Sequence, residues 1–339
     1  MHDQGPQPDI HRRAMGEAQF PPARYTPDMT LSTAPSRDRR PDIAIAVAAC
    51  LWGAWWIPLR LLDERGWGGD WSGTAFCLAG TLALLPGAVI HRRRIATAGS
   101  ALAVCGLLAG LAFAAFNHAL VEGEIVRAVL LFYLSPIWAT LLAVTVLGAR
   151  FRVSRALAIA AGLAGAAVVL GADGALPLPR SLADWLGLIA GVAWAGALTS
   201  ARHIAAVPTF DKAFAATAGA AGFSLAFGLL LTPDAAPASA ALASALPLIA
   251  AASLLWLIPM TLMEFWGASR LDPGRVCVIL MIEIAVAAGS AAVLTDEAFG
   301  WREAVGTLLI LAAGLIDIYG PTGSGPRPGS PMDKAEPAS

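Results

Sequence analysis

The sequence predicts an all-α integral membrane protein, with ten transmembrane helices arranged as two inverted five-helix repeats. Three observations predict it. Hydrophobic residues make up 57% of the chain and charged residues only 14%, with a mean hydropathy of +0.65. A soluble domain is usually about 45–50% apolar and about 25% charged. The apolar residues gather into ten long runs between two polar tails. Finally, Lys and Arg favour every second loop, as a multi-pass topology demands.

The ten runs span about 42–60, 71–90, 100–121, 125–148, 154–171, 183–202, 211–232, 243–267, 274–295 and 301–320. Most reach the roughly 17–25 residues that a helix needs to cross a hydrocarbon core. The first, fifth and tenth are near the short limit. Alternating apolar/polar strands, the mark of a membrane β-barrel, are absent. Residues 1–41 hold Pro21, Pro22, Pro27, Pro35 and six arginines. They carry too little apolar surface to fold alone and are expected to form a disordered cytoplasmic tail. Met15 and Met29 could each begin a shorter chain. Residues 321–339 read as a second disordered tail. The body divides into a first repeat (42–171), a linker (172–182) and a second repeat (183–320).

Charge placement orients the chain. With the N-terminus inside, the inner segments hold the six tail arginines, Arg92–Arg94, Arg150, Arg152, Arg155, Arg202, Lys212, Arg270, Arg275, Arg327 and Lys334. The outer loops hold Arg60, Arg65, Arg180 and Arg302, and Arg127 opens a helix. Eighteen against four is a strong positive-inside bias. It predicts a bacterial-type inner membrane protein with both termini cytoplasmic. The basic run His91–Arg94 reads first as a topology anchor, with lipid phosphate binding as the rival.

Cys50, Cys77, Cys105 and Cys277 each lie in an apolar run without C-x-x-C spacing, so they read as core residues rather than a disulfide or metal set. "VAAC" ending at Cys50 mimics a lipoprotein cleavage box, but it lies too deep in the chain and follows too short an apolar stretch. No P-loop, G-x-S-x-G or H-E-x-x-H motif is present, which argues against ATP-driven transport and against those hydrolase chemistries. The sequence calls for no cofactor, no metal and no nucleic acid. The expected partners are a small-molecule substrate and the lipid bilayer. Nothing in the sequence sets the oligomeric state.

An internal repeat supports the five-plus-five division. "DIAIAVAACLWGAWWIPLR" from Asp42 and "DWLGLIAGVAWAGALTSAR" from Asp184 share their Asp, Trp and Arg positions: Asp42, Trp52, Arg60 against Asp184, Trp194, Arg202. A weaker match sets "GEIVRAVLLFYLSPIWATLLA" against "LDPGRVCVILMIEIAVAAGSA", pairing Arg127 with Arg275 and, further on, Phe151 with Phe299. An odd number of helices per repeat forces opposite orientations, the plan of many secondary transporters.

The segments "ARFRVSRALAIAAGLAGAAVVLG" and "REAVGTLLILAAGLIDIYG" resemble the ends of the two repeats of the EamA family, in the drug/metabolite transporter superfamily. "VRAVLLFYLSPIWATLLAV" and "WGASRLDPGRVCVILMIEIAVAAGSAAVL" are similar to its fourth and eighth-to-ninth helix regions. The resemblance spans about Asp42 to Gly320. It implies a ten-helix inner-membrane carrier, commonly an exporter of amino acids or related compounds. One departure stands out. Where the family often has Gly-Glu after its fourth helix, this chain has Gly148-Ala149-Arg150, while the second repeat keeps Asp296-Glu297.

Charged residues inside a bilayer cost about 2.5–3.5 kcal/mol or more and tend to face a cavity or a partner. Glu283 lies nine residues past Gly274, roughly 13 Å into its helix and near the midplane. It reads as a substrate-binding or protonatable carboxylate, or else as a hydrogen-bonded structural glue; proton coupling and simple facilitated diffusion both remain open. The repeat sets Ser135 and Pro136 opposite Glu283. Pro136 frees a backbone carbonyl that a substrate could use, or merely kinks the helix. Tyr133, Trp138, Phe132 and the pair Trp52/Trp56, four apart, are candidate cavity walls, with Trp194 the repeat equivalent of Trp52; lipid contact and plain packing are the alternatives.

Glu264 is expected to pair with Arg270 or Arg275 as an inner gate or static anchor, with substrate contact as the rival. His118 and Glu122, on one helix face, form with Glu124 and Arg127 either a solvated outer cluster or an outer gate. The expected function is therefore export of amino acids or related amines by alternating access. Uptake or exchange of another metabolite, a membrane enzyme built on His118/Glu122/Glu124, and a non-transporting subunit are the rivals.

Overall fold

The computed structural model describes residues 38–123, 125–170, 178–294 and 300–319. The tail beyond residue 320, nearly all of the N-terminal tail, most of the linker, Glu124, Asp296, Glu297 and Phe299 lie outside these residues. All regular elements described are helical. In chain order they are α1 (Arg40–Gly53), α2 (Trp56–Asp63), α3 (Gly69–Ile90), α4 (Arg92–Glu122), α5 (Ile125–Phe132), α6 (Ser135–Val146) and α7 (Val153–Val169). The second half holds α8 (Leu182–His203), α9 (Thr209–Leu230), α10 (Ser239–Ala252), α11 (Ile258–Ala268), α12 (Pro273–Leu280), α13 (Ile282–Leu294) and α14 (Trp301–Tyr319).

Among the described residues, eight stretches are long and apolar enough to cross a membrane: Arg40–Asp63, Gly69–Ile90, Arg92–Glu122, Arg127–Val146, Leu182–His203, Thr209–Leu230, Ala241–Ala268 and Pro273–Leu294. Val153–Val169 is apolar but shorter. α14 carries Arg302, Glu303 and Asp317 and stands outside that set. Ten runs were expected to span, and eight meet the requirement without reservation.

Several runs are broken, and proline explains most breaks. Pro58 has no N–H to offer the carbonyl four residues back, and the chain leaves the helix at Ala54–Trp55. Pro136 does the same to the turn between α5 and α6, at Tyr133–Leu134. Ahead of Pro259 the backbone widens to a π-helical turn over Ser253–Leu257, which joins α10 to α11. The break at Met281, between α12 and α13, has no proline behind it, and we have no physical account of it. Its position is informative. Tyr133 and Met281 each lie six residues after the matched arginines, Arg127 and Arg275, so both halves interrupt the same helix at the same register.

Small residues let these helices approach closely. A Cβ at Gly110 of α4 would stand 2.2 Å from the Gly219 carbonyl carbon of α9, so only glycine fits. At the bundle's two ends, polar pairs tie helix termini together. One set joins Arg39 to Tyr319, Asp42 to Arg275, Arg155 to Asp272 and Asp317, Arg94 to Asp211, and Arg202 to the Ser269 carbonyl. The other joins His118 to Asp70, Thr232 to Asp70, and Arg127 to Asp184. The arginines of the first set, Arg39, Arg94, Arg155, Arg202 and Arg275, are all ones that the charge count assigns to the inner side, and the second set holds Arg127, which that count left at a helix start.

Candidate substrate cavity

A cavity opens where α1, α3 and α4 of the first half meet α8, α9, the π turn and α11 of the second. Trp52, Phe113, Trp194, Thr261, Glu264 and Phe265 supply its principal walls. Trp52 and Trp194, matched by the repeat, thus face one space from opposite halves. The indole Nε1 of Trp52 donates to Glu264 Oε2 at 3.2 Å. Glu264 is 1% exposed, and its other oxygen, Oε1, has no hydrogen-bond partner among the described residues. A buried carboxylate with an idle oxygen keeps its capacity for a donor brought by a ligand.

This corrects the pairing expected for Glu264. Arg270 turns outward, donating to the Trp266 carbonyl at 2.8 Å and covering the Trp266 ring with its guanidinium 4.2 Å from the centroid. Arg275 instead donates through Nε to Asp42 Oδ1 at 2.7 Å and through Nη1 to the Asp317 carbonyl at 2.7 Å. Lateral packing of helices, which linear spacing does not encode, decides these partners.

Glu283 accepts a hydrogen bond from the Tyr133 hydroxyl, across the two interrupted helices. Neither residue is among the cavity walls. Tyr133 packs with Ala166, Met281, Ile284 and Ile310. Ser135 and Pro136 are buried at the start of α6, also away from the walls. The carbonyl that Pro136 leaves without its helical donor is that of Phe132, and α8 covers it: a Cβ on Gly191 would stand 2.6 Å from that oxygen. Trp138 packs beside the cluster containing Ala139 and Ile279, with its Nε1 unpartnered.

Trp52 and Trp56 do not share a face, because the helix breaks between them. Trp56 donates to Ser290 Oγ at 3.0 Å on α13, while Trp55 is buried against Phe76 and Trp256. The cavity is therefore built from the first three runs of each half; the sequence pointed to the fourth and ninth for its polar groups and to Trp52 and Trp194, in the first and sixth, among its aromatic walls.

The expected outer cluster separates as well. His118 Nδ1 lies 2.9 Å from Asp70 Oδ2, which also accepts from Thr232 Oγ1 at 3.2 Å. Arg127 Nη1 lies 3.4 Å from Asp184 Oδ2, and Glu122 is exposed. Asp70 and Asp211, both fully buried, went unnoticed in the sequence because each sits at a helix start, where acidic residues are ordinary. At the opposite end Arg152, in the loop before α7, is held below the usual guanidinium range by partial burial and by Arg155 beside it.

The four singled-out ionic residues make the clearest pattern. Asp42 and Asp184 match by the repeat, as do Arg127 and Arg275. The structure pairs them crosswise: Asp42 of the first half with Arg275 of the second, Asp184 of the second with Arg127 of the first. One such pair lies at each end of the bundle.

An apolar helical bundle with eight stretches able to cross a bilayer is that of a multi-pass membrane protein. Over residues 39–171 the chain matches the model of the EamA-like transporter family, part of the drug/metabolite transporter superfamily. Among solved structures, one described only as "Crystal structure of protein" superposes with a TM-score of 0.64 at 18% identity, over 82% of this chain and 96% of that one. This shows a shared fold. No curated protein matches the sequence.

Proposed function

We propose that the protein is a secondary carrier of a small organic metabolite, exporting amino acids or related amines across a bacterial-type inner membrane by alternating access. In this reading, residues 183–320 are the inverted counterpart of residues 42–171, and both termini are cytoplasmic. The carrying observation is the cavity between the halves, whose lining carboxylate, Glu264, has an idle oxygen. Its aromatic walls, Trp52, Trp194 and Phe113, add a surface that favours a cationic amine. The crosswise ion pairs provide one closure at each end, and rocking of the halves would release them in turn. Glu283, held by Tyr133, is the carboxylate through which proton coupling would run.

Metabolite profiling of cells and medium, with and without overexpression, tests the reading, followed by counterflow of labelled compounds into proteoliposomes. The expected result is amino acids or amines enriched in the medium, with the labelled compound chemically unchanged. Glu264→Gln should weaken uptake roughly tenfold or more, since a charge-assisted hydrogen bond is worth about 1.5–3 kcal/mol. Enrichment of sugars or nucleotides instead, or conversion of the labelled compound to a product, overturns it.

A further inference from the structure

Lys212, near the start of α9, has no solvent exposure. Its Nζ donates to the Ser269 hydroxyl at 2.5 Å and to the Ala201 carbonyl at 3.3 Å, both neutral acceptors. Among the described residues no carboxylate pairs with it. The charged groups near enough to act on it, Arg202 and Arg270, are of the same sign, and the thiol nearby is Cys105. A buried ammonium surrounded in this way is a poor structural element, because desolvation is uncompensated by an opposite charge. A plain topology anchor would reach water along its four-carbon stem, and Lys212 does not.

Its place relative to the cavity gives it a use. Ala216, one helical turn further along α9, lines the cavity, as do Ala109 of α4 and Phe265 of α11. Lys212, Cys105 and Ser269 each lie four residues from one of these, on the same helix faces and toward the same end of the bundle. They form the layer directly beneath the cavity, about 6 Å down. Glu264 stands five residues before Ser269 on α11, so the backbone rises about 7.5 Å along the helix axis between the residue with the idle carboxylate oxygen and the residue that holds the ammonium. The ammonium and carboxylate of an α-amino acid are about 3 Å apart. With a hydrogen bond of about 2.8 Å at each end, one such molecule spans a length of that order.

We propose that Lys212 receives the carboxylate of the cargo while Glu264 holds its ammonium, so that the site selects compounds carrying both groups at α-amino-acid spacing over simple amines. Binding would transfer the Lys212 ammonium from the Ser269 hydroxyl to the cargo's carboxylate, at the end of the bundle that the charge pattern puts inside. The flexible lysine stem permits that move. This rests on the carrier reading, and it adds a requirement that reading does not contain.

The test uses the full-length protein in proteoliposomes, with each of the twenty common amino acids as a counterflow probe. The decarboxylated amine and the deaminated acid of any that moves are then used as matched probes. The wild type should move at least one amino acid and neither of its matched analogues efficiently. Lys212→Gln should raise the half-saturation concentration for the amino acid at least tenfold and leave the matched amine as weak as before or better. Glu264→Gln should do the reverse, sparing the matched acid. Lys212→Arg, which keeps the charge, should retain most of the binding and guards against a folding defect in the neutral variant. Unchanged half-saturation in Lys212→Gln, or wild-type transport of the matched amine as good as that of the amino acid, overturns the role of Lys212 and leaves the carrier reading intact. Failure of the wild type to move any amino acid sinks the proposal outright, and the metabolite profiling then decides whether the carrier reading survives.

Discussion

Arg275 and Arg127 occupy matching places in the two halves, yet their surroundings differ. The Arg275 and Asp42 side chains are 6% and 3% exposed and only 2.7 Å apart. Asp317 adds its carbonyl, and Arg155 ties Asp317 to Asp272, so four helices and the loop before α12 meet in one network. At the other end the Arg127 side chain is 21% exposed and lies 3.4 Å from Asp184. Asp184 Oδ2 already accepts from the backbone N–H groups of Arg180 and Ser181, at 2.8 and 3.2 Å, within a helix-capping box. The two crosswise pairs are thus firm at one end and loose at the other. The lesson is that matching positions can meet their partners in the same way, while neighbouring acceptors fix how firmly they hold.

The largest effect should come from the firm end. Arg275→Ala leaves buried acidic groups without their guanidinium, and breaking a buried pair costs about 3–5 kcal/mol. The variant should show the greatest loss of monodisperse protein after heating in detergent, followed by size-exclusion chromatography. A smaller loss than in Arg127→Ala would reverse the comparison.

The second effect asks what else holds the loose end. Asp70 is fully buried and takes both His118 and Thr232 as partners. His118→Ala removes one of them from a carboxylate that water cannot reach, at about 1–3 kcal/mol. The same heating assay should rank it between the two arginine variants. If it proves neutral, the Asp70 contact does not contribute to that end, and Arg127 is its principal tie.

These residues also show what linear reading can reach. In an apolar background each charge stands out, so Asp42, Asp184, Arg127 and Arg275 were visible as repeat marks. Trp52 and Trp194 were visible for the same reason, and both reached the cavity. The helical runs followed from hydropathy alone. Partner choice did not follow. Glu264 was assigned to an arginine and lies on an indole; His118 was grouped with Glu122 and lies on Asp70. Those contacts join helices far apart in sequence, and no spacing rule addresses them. Lys212 was counted as one more inner charge because position along the chain reveals depth but not the seal around a side chain. The break before Trp56 was foreshadowed by Pro58, yet its consequence, turning Trp56 away from Trp52, needed the backbone.

The smallest stability effect, and the most discriminating functional one, belongs to Arg127→Ala. Its carboxylate partner keeps two backbone donors, so the stability loss should be about 1 kcal/mol or less, as for a partly exposed pair. Its effect on opening should be larger in relative terms. If the loose pair closes the outer end, removing it shifts the population toward the outward-open form by several-fold for that same energy. A single cysteine introduced at Asn117, half-buried beside Asp70's helix and hydrogen-bonded to the Gly69 carbonyl, reports that end. A membrane-impermeant maleimide should label Asn117→Cys faster when Arg127→Ala is also present. Arg275→Ala, acting at the far end, should leave the labelling unchanged or slow it. Equal acceleration by both arginine variants would mean that the pairs loosen the bundle as a whole, and the two ends would then not act as separate closures.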